Sequence, residues 1–114
     1  MTYARKFAKD CKNFLGIIRP VKLKVIRADL SNPDWDAYCQ TFRDHHRIMV
    51  SRHADRGLLT VIAHELVHAA IDEQFQEKKH HGKRFRSLAG DLYIYLKRRG
   101  YNINKLYLKG VDTS

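Results

Sequence analysis

The feature that most restricts the fold of this chain is a long apolar stretch that carries two histidines and a glutamate. From about Asp55 to Glu73, apolar residues recur at the three- and four-residue spacing of a helix. The run His-Glu-Leu-Val-His occupies positions 64–68 of this stretch. A helix that is apolar on most sides belongs inside a protein, so three polar side chains on it need a specific role.

The spacing of these three side chains suits a metal ion. Residues four apart lie one above the other on a helix, so His64 and His68 can offer two imidazole nitrogens to one ion. Glu65 lies about 100° further round the helix, where its carboxylate can act as a base toward water without binding the metal. The pattern predicts a metal site of the hydrolytic type. The alternative is an ordinary helix with surface histidines.

A catalytic zinc site needs a third protein ligand and an open fourth position. The position six residues after His68, which supplies the third histidine in one large class of zinc peptidases, is Gln74. The tandem His80 and His81 precede the next predicted helix and are the better candidates, and their spacing does not decide between them. Asp91, on that helix, is a weaker candidate.

The remaining patterns predict a small α+β domain. Gly16 ends the first helix and Gly100 ends the last one. No repeat, low-complexity tract or linker divides residues 1–114, so we expect one domain, in which the tail 101–114 either packs back or forms an edge strand. The expected elements are a helix over 4–15, a strand over 21–25, a loop at 31–34, a hairpin of strands 38–42 and 47–51, and a helix over 85–96.

Basic charge is concentrated at the two ends of the chain. The net charge is +10. Residues 1–27 hold eight basic side chains and one acidic side chain, and residues 78–114 hold ten basic and two acidic side chains. The middle of the chain, residues 28–77, holds four basic and nine acidic side chains. This excess suggests a polyanion, nucleic acid first, with solvated helix faces as the alternative. The candidate phosphate contacts are Arg5, Lys6, Lys9 and Lys12 on the first helix, and Lys78, Lys79, Lys83, Arg84 and Arg86 near His81.

Several classes of protein are excluded. No apolar run reaches the roughly 18–20 residues that cross a bilayer, and the N-terminus lacks the apolar core of a secretory signal. Cys11 and Cys39 are far apart and predict reduced, buried thiols. We therefore expect no membrane partner and a cytoplasmic, nucleoid- or DNA-associated protein.

Residues 64–69 and the segment His-Gly-Lys-Arg-Phe at 81–85 together resemble the SprT-like (Spartan-type) metallopeptidase family. In that family the same motif is followed by H-G-x-x-F, whose histidine is the third zinc ligand. The resemblance covers roughly residues 1–100. It implies Zn²⁺ held by His64, His68 and His81, and a zincin-like fold with a small antiparallel sheet of about three strands. The chain lacks the Cys-rich C-terminal zinc ribbon of many members, and so short a form would suit a phage genome.

The function this implies is a zinc endopeptidase acting on DNA-associated proteins, with Glu65 as the general base. One alternative is a non-catalytic nucleic-acid-binding module held together by zinc, and another is a metal-dependent hydrolase of a different bond. Tyr93, Tyr95 and His80 are candidate donors to a developing oxyanion. The strand at 48–50 is either an edge that takes up an extended substrate or a core strand. Tyr3, Phe85 and Tyr101 could stack on bases, although core packing is favoured for each.

Overall fold

The computed structural model describes residues 2–26, 37–51, 57–75 and 81–103. Over these residues the chain forms three helices and one three-stranded sheet, which confirms the predicted α+β class. Every element lies where the sequence pattern predicts one, within a few residues at its ends. In chain order the elements are α1 (Thr2–Leu15), β1 (Val21–Ile26), β2 (Ala37–Thr41), β3 (His46–Ser51), α2 (Leu58–Phe75) and α3 (Lys83–Arg98).

The sheet is mixed, so the expectation of an antiparallel sheet is wrong for one of its two pairings. The strand order is β1-β3-β2, with β2 antiparallel to β3 and β1 parallel to β3. A four-residue connection at 42–45 makes the β2–β3 pair a hairpin. β1 and β3 have β2 between them in the chain, which permits the parallel pairing that adjacent hairpin strands cannot adopt.

β3 is the central strand of this sheet, which decides between the two interpretations of residues 48–50. Both sides of β3 are occupied, by β1 and by β2, so this strand offers no edge to an extended substrate. Ile48 and Val50 are fully buried, as in a core strand. Within the described sheet, the edge strands are β1 and β2.

Helix α2 forms the centre of the molecule. It packs against β2 and β3 on one side and against α1 and α3 on the other. Its residues from Thr60 to Val67 are all buried, because neighbouring elements cover the helix on several sides. The apolar pattern of this segment thus reflects its central position, and α1 and α3 each contribute only one buried face to the same core.

The beginning of the tail packs back onto α1. Ile103 is buried, and the Tyr101 hydroxyl donates a 2.6 Å hydrogen bond to Asp10 of α1. This bond to a carboxylate raises the pKa of Tyr101 to about 12. Residues 104–114, and the predicted loop at 31–34, lie outside the described residues.

A buried polar cluster joins the sheet to the last turn of α2. His46 of β3 is fully buried and places Nε2 2.9 Å from Glu73 Oε1. The Glu73 carboxylate also accepts the backbone N–H groups of Ile18, at 2.7 Å, and Arg19, at 3.0 Å. Burial alone would raise the pKa of Glu73, but these two amides and His46 hold it below its ordinary value of 4.5. Glu73 thereby fixes the loop between α1 and β1 to α2.

We expect Glu73→Gln to lower the free energy of unfolding at neutral pH by about 1.5–3 kcal/mol, because hydrogen bonds to a charged group are lost. Since folding lowers this pKa, the charge contributes fully above pH 4.5 and less as the pH falls through the lowered value. Urea unfolding at pH 7 and at pH 3 measures both effects. Asp91→Asn, at an exposed site on α3, is the control. Equal stability of wild type and Glu73→Gln at pH 7 would contradict this role.

Both cysteines are free thiols in this structure, as predicted, but Cys39 is only partly buried, in contrast to the expected burial of both. Cys11 is buried in α1, and burial raises the pKa of its thiol above the usual range. In the part of the chain that the structure describes, none of the helices has the length and apolar character needed to cross a bilayer.

Candidate metal centre

The side chains of three histidines, two on α2 and one just before α3, converge on one another. His64 and His68 lie one turn apart on α2, and His81 lies directly before Gly82, the residue that caps α3. His81 Nε2 is 3.2 Å from His68 Nε2 and 3.3 Å from His64 Nε2. The three residues form a group that could hold a metal ion. The same nitrogen of each ring faces the common centre.

These distances fit a tetrahedral metal site. Zinc binds imidazole nitrogen at about 2.0–2.1 Å, and two ligands at the tetrahedral angle are then about 3.3–3.4 Å apart. The separations that His81 makes with the other two nitrogens lie close to this value. Three neutral imidazoles are also a ligand set that zinc accepts. The residues present therefore fit the ion that the sequence resemblance implies.

The ring of Phe85 holds the three imidazoles from one side. Its centroid lies 5.0 Å from that of His64, 4.5 Å from His68 and 4.9 Å from His81. Phe85 is one turn along from His81 and is 1% exposed, so its position is fixed by the core. The side chain acts as an apolar shelf that restricts how each imidazole can rotate, and its burial excludes the alternative of stacking on a base.

We expect Phe85→Leu to weaken zinc binding about tenfold, within the 10–100-fold effects seen when groups that orient metal ligands are changed. Phe7→Leu is the matched control, because Phe7 is equally buried but packs against Tyr101. Both variants lose core packing, whereas only Phe85→Leu loosens the imidazoles. Competition with a chromophoric chelator measures the affinity. Equal zinc affinity in the two variants would show that the shelf does not orient the ligands.

Glu65 directly follows His64 on α2 and is 7% exposed. Helix α2 packs against β2 and β3. Burial, together with the nearby carboxylates of Glu65 and Asp72, raises the pKa of the Cys39 thiol to about 12. Cys39 is therefore a protonated, weakly nucleophilic thiol at neutral pH, and it lies close enough to Glu65 for the charge of that carboxylate to affect it.

Other candidate site residues lie elsewhere. Asp91 is exposed on α3 and does not belong to the histidine group. Gln74, at the position of the alternative ligand spacing, donates from Nε2 to the Leu15 carbonyl at 2.8 Å. Tyr95 stacks on Phe14 at 4.4 Å.

Of the two further candidates for a donor to the oxyanion, the structure describes only Tyr93. Tyr93 is half-buried and has the Lys97 ammonium 5.7 Å from its ring centroid. His80 lies outside the described residues.

The basic residues around His81 are only partly described. Lys83, Arg84 and Arg86 are exposed in the first turn of α3, whereas Lys78 and Lys79 lie outside the described residues. The Arg84 guanidinium lies 4.3 Å from the centroid of the Phe75 ring. Of the remaining aromatic candidates, Tyr101 packs edge-on against Phe7, and Tyr3 is 61% exposed.

Sequence reasoning missed two parts of this region. His46 and Glu73, which form a buried pair, are 27 residues apart in the chain, so no local sequence pattern predicts their contact. The position of Cys39 near Glu65 was also missed, although the strand period places Ala37, Cys39 and Thr41 on one face, which could have indicated the face that meets α2.

No protein-family model matches this chain, and no curated protein matches it either. The fold and the site together define an α+β protein with a three-histidine group that could hold a metal ion.

Proposed function

We propose that this protein is a zinc-dependent endopeptidase of the SprT-like kind, acting on proteins associated with DNA. The observation that carries the proposal is the convergence of three imidazole Nε2 atoms beside a buried glutamate on the same helix. The metal ligands are His64, His68 and His81, and Glu65 is the catalytic base. Three histidines leave the fourth position of a tetrahedral site free for water or substrate, as catalytic zinc sites require.

When bound, the zinc ion supplies Lewis-acid chemistry, which makes water more acidic and polarises a substrate carbonyl. Glu65 accepts a proton from the attacking water and later delivers it to the leaving amine. Its buried position directly after His64 on α2 suits this role, because it sets a carboxylate in a region screened from bulk water. Phe85 keeps the histidine rings in place.

A purely structural zinc site is the main competing interpretation. Structural sites have four closed protein ligands, often cysteines. Among the described residues, the group that could hold a metal ion consists of three histidines, and neither cysteine belongs to it. A hydrolase of a different bond would use the same site, and only the substrate distinguishes it.

Strand β2 is the better candidate for substrate binding than β3. It is an edge of the described sheet, and its Cys39 lies close enough to Glu65 to be affected by its charge. An extended peptide that adds to this edge would gain main-chain hydrogen bonds and pass the site. The central strand β3, the sequence-based candidate, is already paired on both sides.

The test is cleavage of a basic DNA-binding protein by purified, zinc-loaded protein, with and without single-stranded DNA. We expect discrete fragments whose formation stops with a chelator and returns when zinc is added back. Fragments that still form in the presence of the chelator would come from a contaminating protease that does not depend on a metal. Stoichiometric zinc without any peptide cleavage would contradict the proposal and favour either the binding module or a hydrolase of another bond.

A further inference from the structure

A basic cleft lies between the first helix and the edge strand β1. It has a volume of about 580 Å³ and is lined by Arg5, Ala8, Lys9 and Lys12 of α1, the adjoining Pro20, and Val21, Lys22 and Leu23 of β1. Four of the eight lining residues are cationic and none is acidic.

Both walls of the cleft carry positive charge. Arg5, Lys9 and Lys12 recur every three to four residues, so they form one stripe about 10 Å long on α1. Lys22 faces them from β1, where it is exposed. Within the described ranges, none of these four side chains makes an ion pair with a carboxylate, although Lys22 lies near enough to Asp44 to help lower the pKa of Asp44. The charges are therefore available to an external anion.

The rest of the cleft lining is apolar. The same cleft that the four cationic side chains line is also lined by Ala8, Pro20, Val21 and Leu23. A single strand of nucleic acid offers phosphates to the cations and unpaired bases or sugars to the apolar residues, so it matches both parts of this lining. A duplex hides its bases and has no such surface to offer, and a purely acidic peptide offers charge to the cations but no apolar group to the other four residues.

We propose that this cleft between α1 and β1 binds single-stranded nucleic acid through its phosphate backbone. The proposal deepens the proposed function and rests on its DNA-associated part, but not on hydrolysis. β1 is the opposite edge of the sheet from β2, whose Cys39 lies beside Glu65. A single-stranded nucleic acid bound at β1 leaves the histidine group accessible to a protein substrate. The cleft therefore tethers the protein to nucleic acid without blocking its metal centre.

The test compares two triple variants with the same loss of charge in the full, zinc-loaded protein. Lys9→Gln/Lys12→Gln/Lys22→Gln removes charge from the cleft. Lys24→Gln/Lys97→Gln/Arg98→Gln is the matched control, because it removes the same charge at three exposed residues outside the cleft, one of them on β1. Fluorescence anisotropy with labelled oligothymidylate of 20 nucleotides measures binding between 50 and 300 mM salt.

We expect the cleft variant to bind at least tenfold more weakly at the lowest salt, and the control less than threefold more weakly. The slope of log K against log salt should fall by about 2 in the cleft variant, since each lost single-strand phosphate contact removes about 0.7. Unlabelled single strand should also displace the probe better than a duplex of the same length. Polyglutamate at equal charge should displace it poorly.

Four results would overturn the proposal: no binding by wild type, equal losses in the two variants, displacement by polyglutamate or duplex that matches the single strand, or a larger loss in Lys83→Gln/Arg84→Gln/Arg86→Gln. Cleavage of a DNA-free substrate should be unchanged in the cleft variant. A failure of the cleft would therefore leave the hydrolase proposal standing, and a failure of hydrolysis would leave the binding result intact.

Discussion

Glu65→Gln is expected to abolish peptide cleavage while the protein keeps its fold and its zinc. The amide has nearly the same shape as the carboxylate but cannot accept the proton of the attacking water. A general base typically contributes about 10²–10⁴-fold to the reaction rate, so the cleavage rate should fall at least about 100-fold. Because Glu65 does not belong to the group of three histidines that could hold the metal, the metal content should remain at the wild-type level.

The matched control is Asp72→Asn, a carboxylate-to-amide change seven residues further along α2. Asp72 is exposed and accepts a 3.1 Å hydrogen bond from the Thr41 hydroxyl, so it lies on the same side of the helix without joining the histidine group. We expect its cleavage rate to stay within about threefold of wild type, as for a surface hydrogen bond. Hydrolysis by Glu65→Gln at the rate of this control would remove Glu65 from the mechanism.

The second large effect is expected from His81→Ala, which should lower zinc affinity by a factor of 100 or more. In the proposed site His81 would supply one of three ligands, and it is the one of the three histidines that lies outside α2. Its loss leaves His64 and His68, a pair that one helix holds but that cannot enclose an ion. Metal analysis after purification and chelator competition measure the change, and hydrolysis should fall in parallel.

Two controls separate this effect from the general loss of a histidine. His80→Ala changes the neighbouring residue in the chain, and His45→Ala removes a histidine that pairs with Asp44 at 2.7 Å, away from the cluster. Both should keep full zinc content. If His80→Ala loses the metal and His81→Ala keeps it, the ligand assignment is wrong.

Much of the fold follows from local patterns in the sequence. The run of α2 is apolar on most sides and long enough for a helix, as expected of a helix that is buried on several sides. The β2–β3 hairpin follows from two short strands with a four-residue connection between them. The direction of β1 was not predictable, because ten residues separate Ile26 from Ala37, and a connection of that length does not fix how β1 pairs in the sheet.

The candidate site was predictable to different depths. His64 and His68 follow from helical geometry, since their separation alone places them one turn apart. The third histidine does not follow from spacing, because the 12 residues between His68 and His81 could direct either tandem histidine toward the helix. In the structure, the start of α3 brings His81 back to α2, where Phe85 fills the space behind the three rings. Contacts of that kind arise from packing between elements, which no local period encodes.

Zinc K-edge X-ray absorption of the purified, zinc-loaded protein tests the central claim most directly. We predict one zinc per chain with three imidazole nitrogens at about 2.0–2.1 Å and one further light atom that the protein does not supply. The spectrum should lack sulfur at about 2.3 Å, since neither cysteine belongs to the histidine group. Sulfur ligation, four protein ligands or the absence of stoichiometric zinc would contradict a catalytic three-histidine site.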